Sequence, residues 1–262
     1  MQEFAQNNVP FFRFASIPAS GRVRHAVFTR QGGISQAPFD TLNLSVSVPD
    51  VEEDVYANRA TAYGTHGRRK ESLVHAHLVH GAEVAMVNQG KHGRYIGPVD
   101  GLITDEPGCG LTMNYADCAP IFLYDPRNQA IGLGHAGWKG AIRDLSGALV
   151  RAMGQAYGSR PSELMGAIGP TIGPCCYEVG EPVVPAVIEA FPGEDELLRP
   201  ATGRDDKRFF DLPLANSHRL AAAGVEQVEL PGLCTACRTD LFFSHRAEGG
   251  RTGRFGALFI LD

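Results

Sequence analysis

Residues 130–141, AIGLGHAGWKGA, decide the architecture. The segment 130–135 is a short apolar run with the length of a buried strand. It ends at His135, and the small residues Ala136 and Gly137 let the chain bend sharply after it. From Gly140 the pattern changes. Ile142, Leu145, Leu149, Ala152 and Met153 recur every three or four residues, which predicts a helix over 140–157. A strand thus delivers a histidine to the approach of a helix. NYADCAPIFLY (114–124) repeats half of this device: Asp117-Cys118 precede an apolar strand over 119–124, so the thiol sits at the strand's start.

Outward from this pair, strands are expected at 23–29, 83–87, 101–104, 110–114, 164–168, 225–230 and 254–261. Helices are expected at 51–63, 181–191 and 212–223, with Pro182 and Pro185 limiting the second of these to its early turns. The sum is an α+β pattern with mixed or paired sheets and helices outside. Strands and helices do not alternate regularly, and neither a G-x-G-x-x-G loop nor a Walker loop is present. No Pro/Gly/Ser-rich linker divides the 262 residues, so residues 1–262 are read as a single domain.

Hydrophobic residues make up 44% of the chain, enough to bury a sizeable core. A formal charge of −5 gives no general pull toward nucleic acid or an anionic membrane. No apolar run approaches a bilayer span, and MQEFAQNNVPFFRF lacks the basic and apolar regions of a secretory signal. The expected compartment is the cytoplasm, where the six cysteines are reduced. Cys234 and Cys237 form a C-x-x-C, but no second pair stands at zinc-ribbon spacing, so they read as packed thiols near a turn.

Three residues at element ends carry the chemistry. His80, in LVHGAEV (78–84), lies between two apolar β-type segments; Cys118 and His135 are placed as above. Two imidazoles and a thiolate are ligands that zinc favours, and a catalytic zinc keeps its fourth position for water, acidified toward neutral pKa. His75 and His77 share a strand face away from His80 and read as surface or packing residues. Arg30 follows a strand before Gly32-Gly33, and Arg246, Arg251 and Arg254 surround the glycine-rich SHRAEGGRTGRFG (244–256). Guanidinium groups and glycine-exposed amides suit an anion such as phosphate, and a solvated surface loop has the same composition. AIGPTIGPCCYEVG (167–180) has the density of Gly and Pro expected of a rigid, shaped loop.

Taken together, TRQGG (29–33), DTLNLS (40–45), VHGAEV, DGLIT (100–104), ADCAPI, GHAGWKG, IGPTIGPCCYEVG, CT (234–235), FFSHR (242–246) and GGRTGRFGA (249–257) resemble the YfiH/YlmD-type proteins. This family has long been described as polyphenol oxidases or laccase-domain proteins and is now understood as purine nucleoside phosphorylases. The resemblance spans about Val23 to Leu261. It implies a layered α/β/β/α fold similar to the catalytic domain of the cytotoxic necrotizing factors. It also implies zinc ligation by His80, Cys118 and His135, with adenosine deaminase and methylthioadenosine phosphorylase activities beside phosphorolysis. Arg30 or Arg246 would then hold phosphate, Asn43 would bond sugar or base, and Asp117 would back the thiolate ligand. The expected partners are purine nucleosides and phosphate, and the expected state is a monomer or small homo-oligomer. Leu78, Lys139 and Ala247 depart from the family's usual Gln, Arg and Arg.

Two other chemistries compete. A copper-dependent polyphenol oxidase needs many histidines in H-x-H pairs, and this chain has nine His and one such pair, His75-Ala76-His77. A Cys–His hydrolase would use Cys118 as nucleophile and His135 as base, a geometry that metal ligands also satisfy. A binding module would leave these residues structural, and peptidoglycan-precursor editing is a cellular role compatible with nucleoside chemistry.

Overall fold

The strand that ends at His135 lies inside a six-stranded sheet. The computed structural model describes residues 1–18, 22–201 and 203–262. The strands of this sheet are Val84–Met86 (β5), Gly101–Thr104 (β7), Ala119–Asp125 (β9), Ala130–Ala136 (β10), Met165–Ile168 (β11) and Gln227–Glu229 (β15). They lie in the order β15-β11-β9-β10-β7-β5. The hairpin of β9 and β10 is antiparallel and pairs His135 with Pro120 and Ala136 with Ala119, so the register brings the end of one strand beside the start of the other.

A seven-stranded sheet packs against it. It comprises Gln2–Gln6 (β1), Val9–Arg13 (β2), Val23–Phe28 (β3), Leu73–Ala76 (β4), Tyr95–Ile96 (β6), Gly110–Tyr115 (β8) and Phe255–Leu261 (β16), ordered β1-β2-β3-β16-β8-β4-β6. Strand periodicity explains the layering. In β9, Phe122 and Tyr124 enter the core between the sheets, whereas Ile121 and Leu123 enter the core under the helices. In β16, Phe255, Ala257 and Phe259 face the inter-sheet core, and Leu258 and Ile260 face the other way. Both strands are buried along their whole length, which is why they read as continuous apolar runs.

Helices Glu52–Gly64 (α1), Trp138–Ile142 (α2), Leu145–Tyr157 (α3), Val183–Ala190 (α4) and Leu212–Ala222 (α5) complete the described elements. Ala62 and Tyr63 of α1 cover the outer face of the larger sheet, and α3 and α5 cover the outer face of the smaller one. The layering is therefore helix, sheet, sheet, helix, as the resemblance implies. Gly134 permits the close seating of α3: a Cβ there would stand 2.6 Å from Leu149 Cδ1. A third sheet, Glu178–Val179 (β12), Leu198–Ala201 (β13) and Arg204–Phe210 (β14), sits with α2 and α4 around a satellite core that includes Phe191, Phe210 and Ile172.

Two expectations need correction. The helix over 140–157 is two helices that meet almost end to end. Asp144 adopts φ 62°, and its carboxylate accepts from Gly147 N at 3.1 Å, so it caps α3 instead of continuing α2. The α4 helix reaches Ala190 despite Pro185, because that proline is its third residue, where the missing N–H has no acceptor in the helix. Strands β1, β2, β4, β6, β12, β13 and β14 were not expected from the sequence. No described helix is long and apolar enough to cross a membrane.

Candidate metal centre and its cavity

His80, Cys118 and His135 converge. Each offers one ligand atom, and the three atoms lie within 4.8 Å of one another. The Cys118 thiol stands before the first residue of β9, and His135 near the last of β10, so the hairpin register alone makes them neighbours. His80 arrives from the loop between β4 and β5, and its ring centroid lies 5.1 Å from that of His135. His135 is buried, Cys118 half-buried and His80 exposed, so the set opens to solvent on one side.

The third ligand is held in place by Asp100, at the head of β7. Its buried carboxylate accepts from the backbone N–H groups of Val79 (3.2 Å), His80 (2.9 Å) and Gly81 (2.6 Å). These bonds fix His80 in the left-handed region, at φ 58°, which few non-glycine residues adopt without such support. The same carboxylate meets His135 Nδ1 at 3.3 Å, which leaves Nε2 as the ring's free donor. Space is equally specified: a Cβ on Gly137 would lie 2.8 Å from Cys118 Sγ.

Charges follow this geometry. Burial acts to raise the Cys118 thiol, but His135 and His80 outweigh it and bring the thiol down to about 6. Burial acts to lower His135, but the Cys118 sulfur and Asp100 push it up to about 9. Burial would raise Asp100, and its bonds to His135, Gly81 and Val79 hold it below the usual carboxylate range. The thiolate and two imidazoles are the donor types that zinc takes, with a carboxylate behind one imidazole as an orienting partner. The residues present fit a zinc ion.

His80, Cys118 and His135 lie in the wall of a cavity of about 650 Å³. Its lining also includes Trp138 and Tyr177, and the guanidinium-bearing Arg59, Arg246 and Arg254. Arg246 Nη1 bonds Glu178 O at 2.5 Å, and its guanidinium lies 5.0 Å from the Tyr177 ring centroid. Arg59 is buried within α1: Nε bonds Leu44 O, one Nη bonds the Tyr95 hydroxyl, and the other Nη has no partner.

The substrate residues read from the sequence divide. Arg246 lines the cavity. Arg30 does not: its guanidinium bonds Asp40 O, Thr239 O and Glu248 Oε1, lies 4.4 Å from the Phe243 ring centroid, and lines a separate depression. A phosphate role for Arg30 is therefore corrected to a structural one. Asn43 is fully buried, with its amide engaged by Ser45 O and Asp50 and its Oδ1 by the N–H groups of Ser45 and Arg254. It positions Arg254 and has no free group for sugar or base. Asp117 does not back a ligand either. Its carboxylate accepts from Thr235 Oγ1 (2.6 Å) and Arg246 N (2.7 Å), and its carbonyl from Thr171 Oγ1 and Ile172 N. The role expected of Asp117 falls to Asp100. Of the His pair set aside as surface or packing, His77 lines the cavity and His75 is buried, stacked 4.9 Å from Tyr95.

Asp100 and Arg59 escaped the sequence reading. Asp100 had a signal, since it opens the DGLIT segment; Arg59 sits mid-helix with nothing in its neighbours to mark it.

The sequence model of the family described as multi-copper polyphenol oxidoreductase laccase matches residues 24–262. Purine nucleoside phosphorylase YlmD of Bacillus subtilis is 35% identical, with 86% of this chain and 84% of that protein aligned. The crystal structure of YlmD from Geobacillus stearothermophilus superposes with a TM-score of 0.91 at 34% identity, covering 99% of this chain and 98% of that one. Bacillus licheniformis hypothetical protein YfiH superposes with a TM-score of 0.90 at 31% identity, covering 98% and 97%. The chain belongs to this laccase-like family, of which YlmD is a member.

Proposed function

We propose that this protein is a zinc-dependent purine nucleoside phosphorylase that also carries adenosine deaminase and methylthioadenosine phosphorylase activity. The observation that carries the reading is the convergence of His80, Cys118 and His135 on the wall of a cavity that three arginines share. A volume near 650 Å³ suits a nucleoside with an anion beside it. Curated relatives that align over most of this chain are named purine nucleoside phosphorylases.

A zinc ion in the donor set would supply Lewis-acid chemistry. The chain's own residues do the rest. The aromatic faces of Trp138 and Tyr177 offer a purine a stacking wall. Arg246 and Arg254 present positive charge near the thiolate, where phosphate can be held against the ribose. The unpartnered Nη of Arg59 is a buried donor that a ligand oxygen would satisfy. Asp100 keeps His135 and His80 oriented throughout.

The copper reading has little support. Among the described residues, clustered histidine donors are the His80–Cys118–His135 set and His218 with Glu194 and Glu196, far short of the histidines that four coppers require. One observation favours the hydrolase reading: without a metal, Cys118 and His135 form a thiolate–imidazolium pair.

The test combines metal and product analysis. Wild type and Cys118→Ala are assayed for zinc, then incubated with adenosine or methylthioadenosine, with and without phosphate. Zinc in the wild type, phosphate-dependent adenine and inosine are all expected, each reduced more than about 100-fold in the variant. A metal-free wild type that turns over no nucleoside and is covalently acylated at Cys118 would establish the hydrolase instead.

A further inference from the structure

The sequence shows Cys234 and Cys237 without a second pair at zinc-ribbon spacing. The fold supplies that pair from elsewhere. Thr171 and Cys234 form a parallel β-bridge that lays the 173–177 turn against the 234–238 turn. The sulfurs of Cys175, Cys176, Cys234 and Cys237 all lie within 4.8 Å of one another. Cys237 Sγ is 3.4 Å from Cys175 Sγ and 3.3 Å from Cys176 Sγ, and none of the four is in a disulfide.

We propose that these four cysteines form a second metal site, a tetrathiolate that takes one zinc ion and clamps the two turns together. Four sulfurs around a zinc at about 2.3 Å stand about 3.8 Å apart, so the two Cys237 contacts need an expansion of a few tenths of an ångström and every other pair a contraction of at most about 1 Å. A backbone donor is already aimed at the sulfur. Gly173 N–H points at Cys234 Sγ at 3.2 Å. An N–H directed at a cysteine sulfur favours its thiolate form, the form that binds a metal.

The site is separate from the cavity's ligands. Cys175 and Cys237 are exposed, so an ion enters from solvent and not through the cavity. Its consequence reaches the cavity wall all the same. The 173–177 turn carries Tyr177, and the 234–238 turn carries Thr235, whose hydroxyl bonds Asp117 beside Cys118. A clamp here holds the aromatic wall in register with the first metal centre.

Zinc counting on protein purified under reducing conditions tests this. About two zinc ions per chain are expected in the wild type, and about one each in Cys118→Ala and in the Cys234→Ser/Cys237→Ser double variant. Should His80, Cys118 and His135 hold no zinc, the wild type would carry about one, kept in Cys118→Ala and lost in the double variant. That result sinks the proposed function while upholding the clamp. One zinc that disappears in Cys118→Ala overturns the clamp, as does a Cys175–Cys237 or Cys176–Cys237 disulfide in freshly isolated protein. If the double variant does not fold, cobalt loading of Cys118→Ala decides. The intense thiolate-to-cobalt absorption of a tetrathiolate supports the site, and its absence rejects it.

Discussion

Replacing Asp100 by Asn keeps the shape of the group and removes its charge. The carboxylate links three backbone N–H groups of the His80 turn to the His135 ring. In the carboxylate one oxygen takes the His80 N–H and the His135 Nδ1 and the other takes the Val79 and Gly81 N–H groups, so an amide must turn its NH2 toward one of these sets and leave it without an acceptor. Asp100→Asn is expected to weaken zinc binding by roughly 10- to 100-fold, read by competition with a chelator. Unchanged affinity would reduce Asp100 to a loop anchor with no bearing on the metal. At this scale the sequence was most legible for the ligands and least for their supports. Cys118 and His135 stand beside recognisable strand ends. Asn43 drew notice through the DTLNLS segment and Asp117 through its place beside Cys118, but their bonds reach distant backbone, Arg254 N and Arg246 N, which no local pattern reveals.

The junction of α2 and α3 shows what element-level patterning misses. Apolar spacing runs on from Ile142 to Leu145, yet Asp144 stops one helix and starts the next. Two costs meet in Asp144→Ala: loss of the cap to Gly147 and a left-handed φ that alanine tolerates poorly. The variant should lose roughly 1–2 kcal/mol of stability, and Asp144→Asn well under half of that, measured from urea midpoints. Equal losses would assign the effect to the Arg151 ion pair rather than to the backbone. The expected strands all form because each carries a continuous or alternating apolar face. Some of those missed are short, such as β6 and β12, or exposed, such as β1, and hold little buried surface, whereas β2 and β4 are buried but short, with too few residues to declare a period.

Across the whole molecule, buried histidines set the acid limit. Burial, reinforced by neighbouring arginines, brings His25 and His66 to about 4 and His75 to about 3, from an ordinary 6.5. His25 Nε2 accepts from Phe14 N–H at 2.8 Å, a bond that requires the neutral ring. Between pH 6.5 and about 4 the unfolded chain takes up protons at these sites and the folded chain does not, so stability falls as pH falls through that window. Each histidine contributes on the order of 3 kcal/mol over the full window. Urea midpoints should drop steeply from about pH 7 to about pH 5, before most carboxylates titrate, and His25→Gln should flatten the drop. A pH-independent midpoint over that range would contradict the assignment. An α+β pattern with mixed or paired sheets was readable through strands such as β9, β10 and β16, whereas the α/β/β/α layering was implied by the family resemblance. The third sheet was not, because its strands pair around a satellite core assembled from segments without clear periodicity.

The way the first metal centre is assembled has a thermodynamic consequence. Cys118 and His135 come from two strand ends and His80 from the β4–β5 loop, joined by sheet register and by Asp100. An unfolded chain does not bring these three side chains together, so an ion's affinity for this set would belong almost wholly to the native state. By linkage, every tenfold rise in free metal above its dissociation constant adds about 1.4 kcal/mol to folding, with no opposing gain for the unfolded chain. A local chelating loop forfeits part of that advantage, because it also holds metal when unfolded. With ligands scattered in this way, metal supply would act directly on how much of this protein is folded.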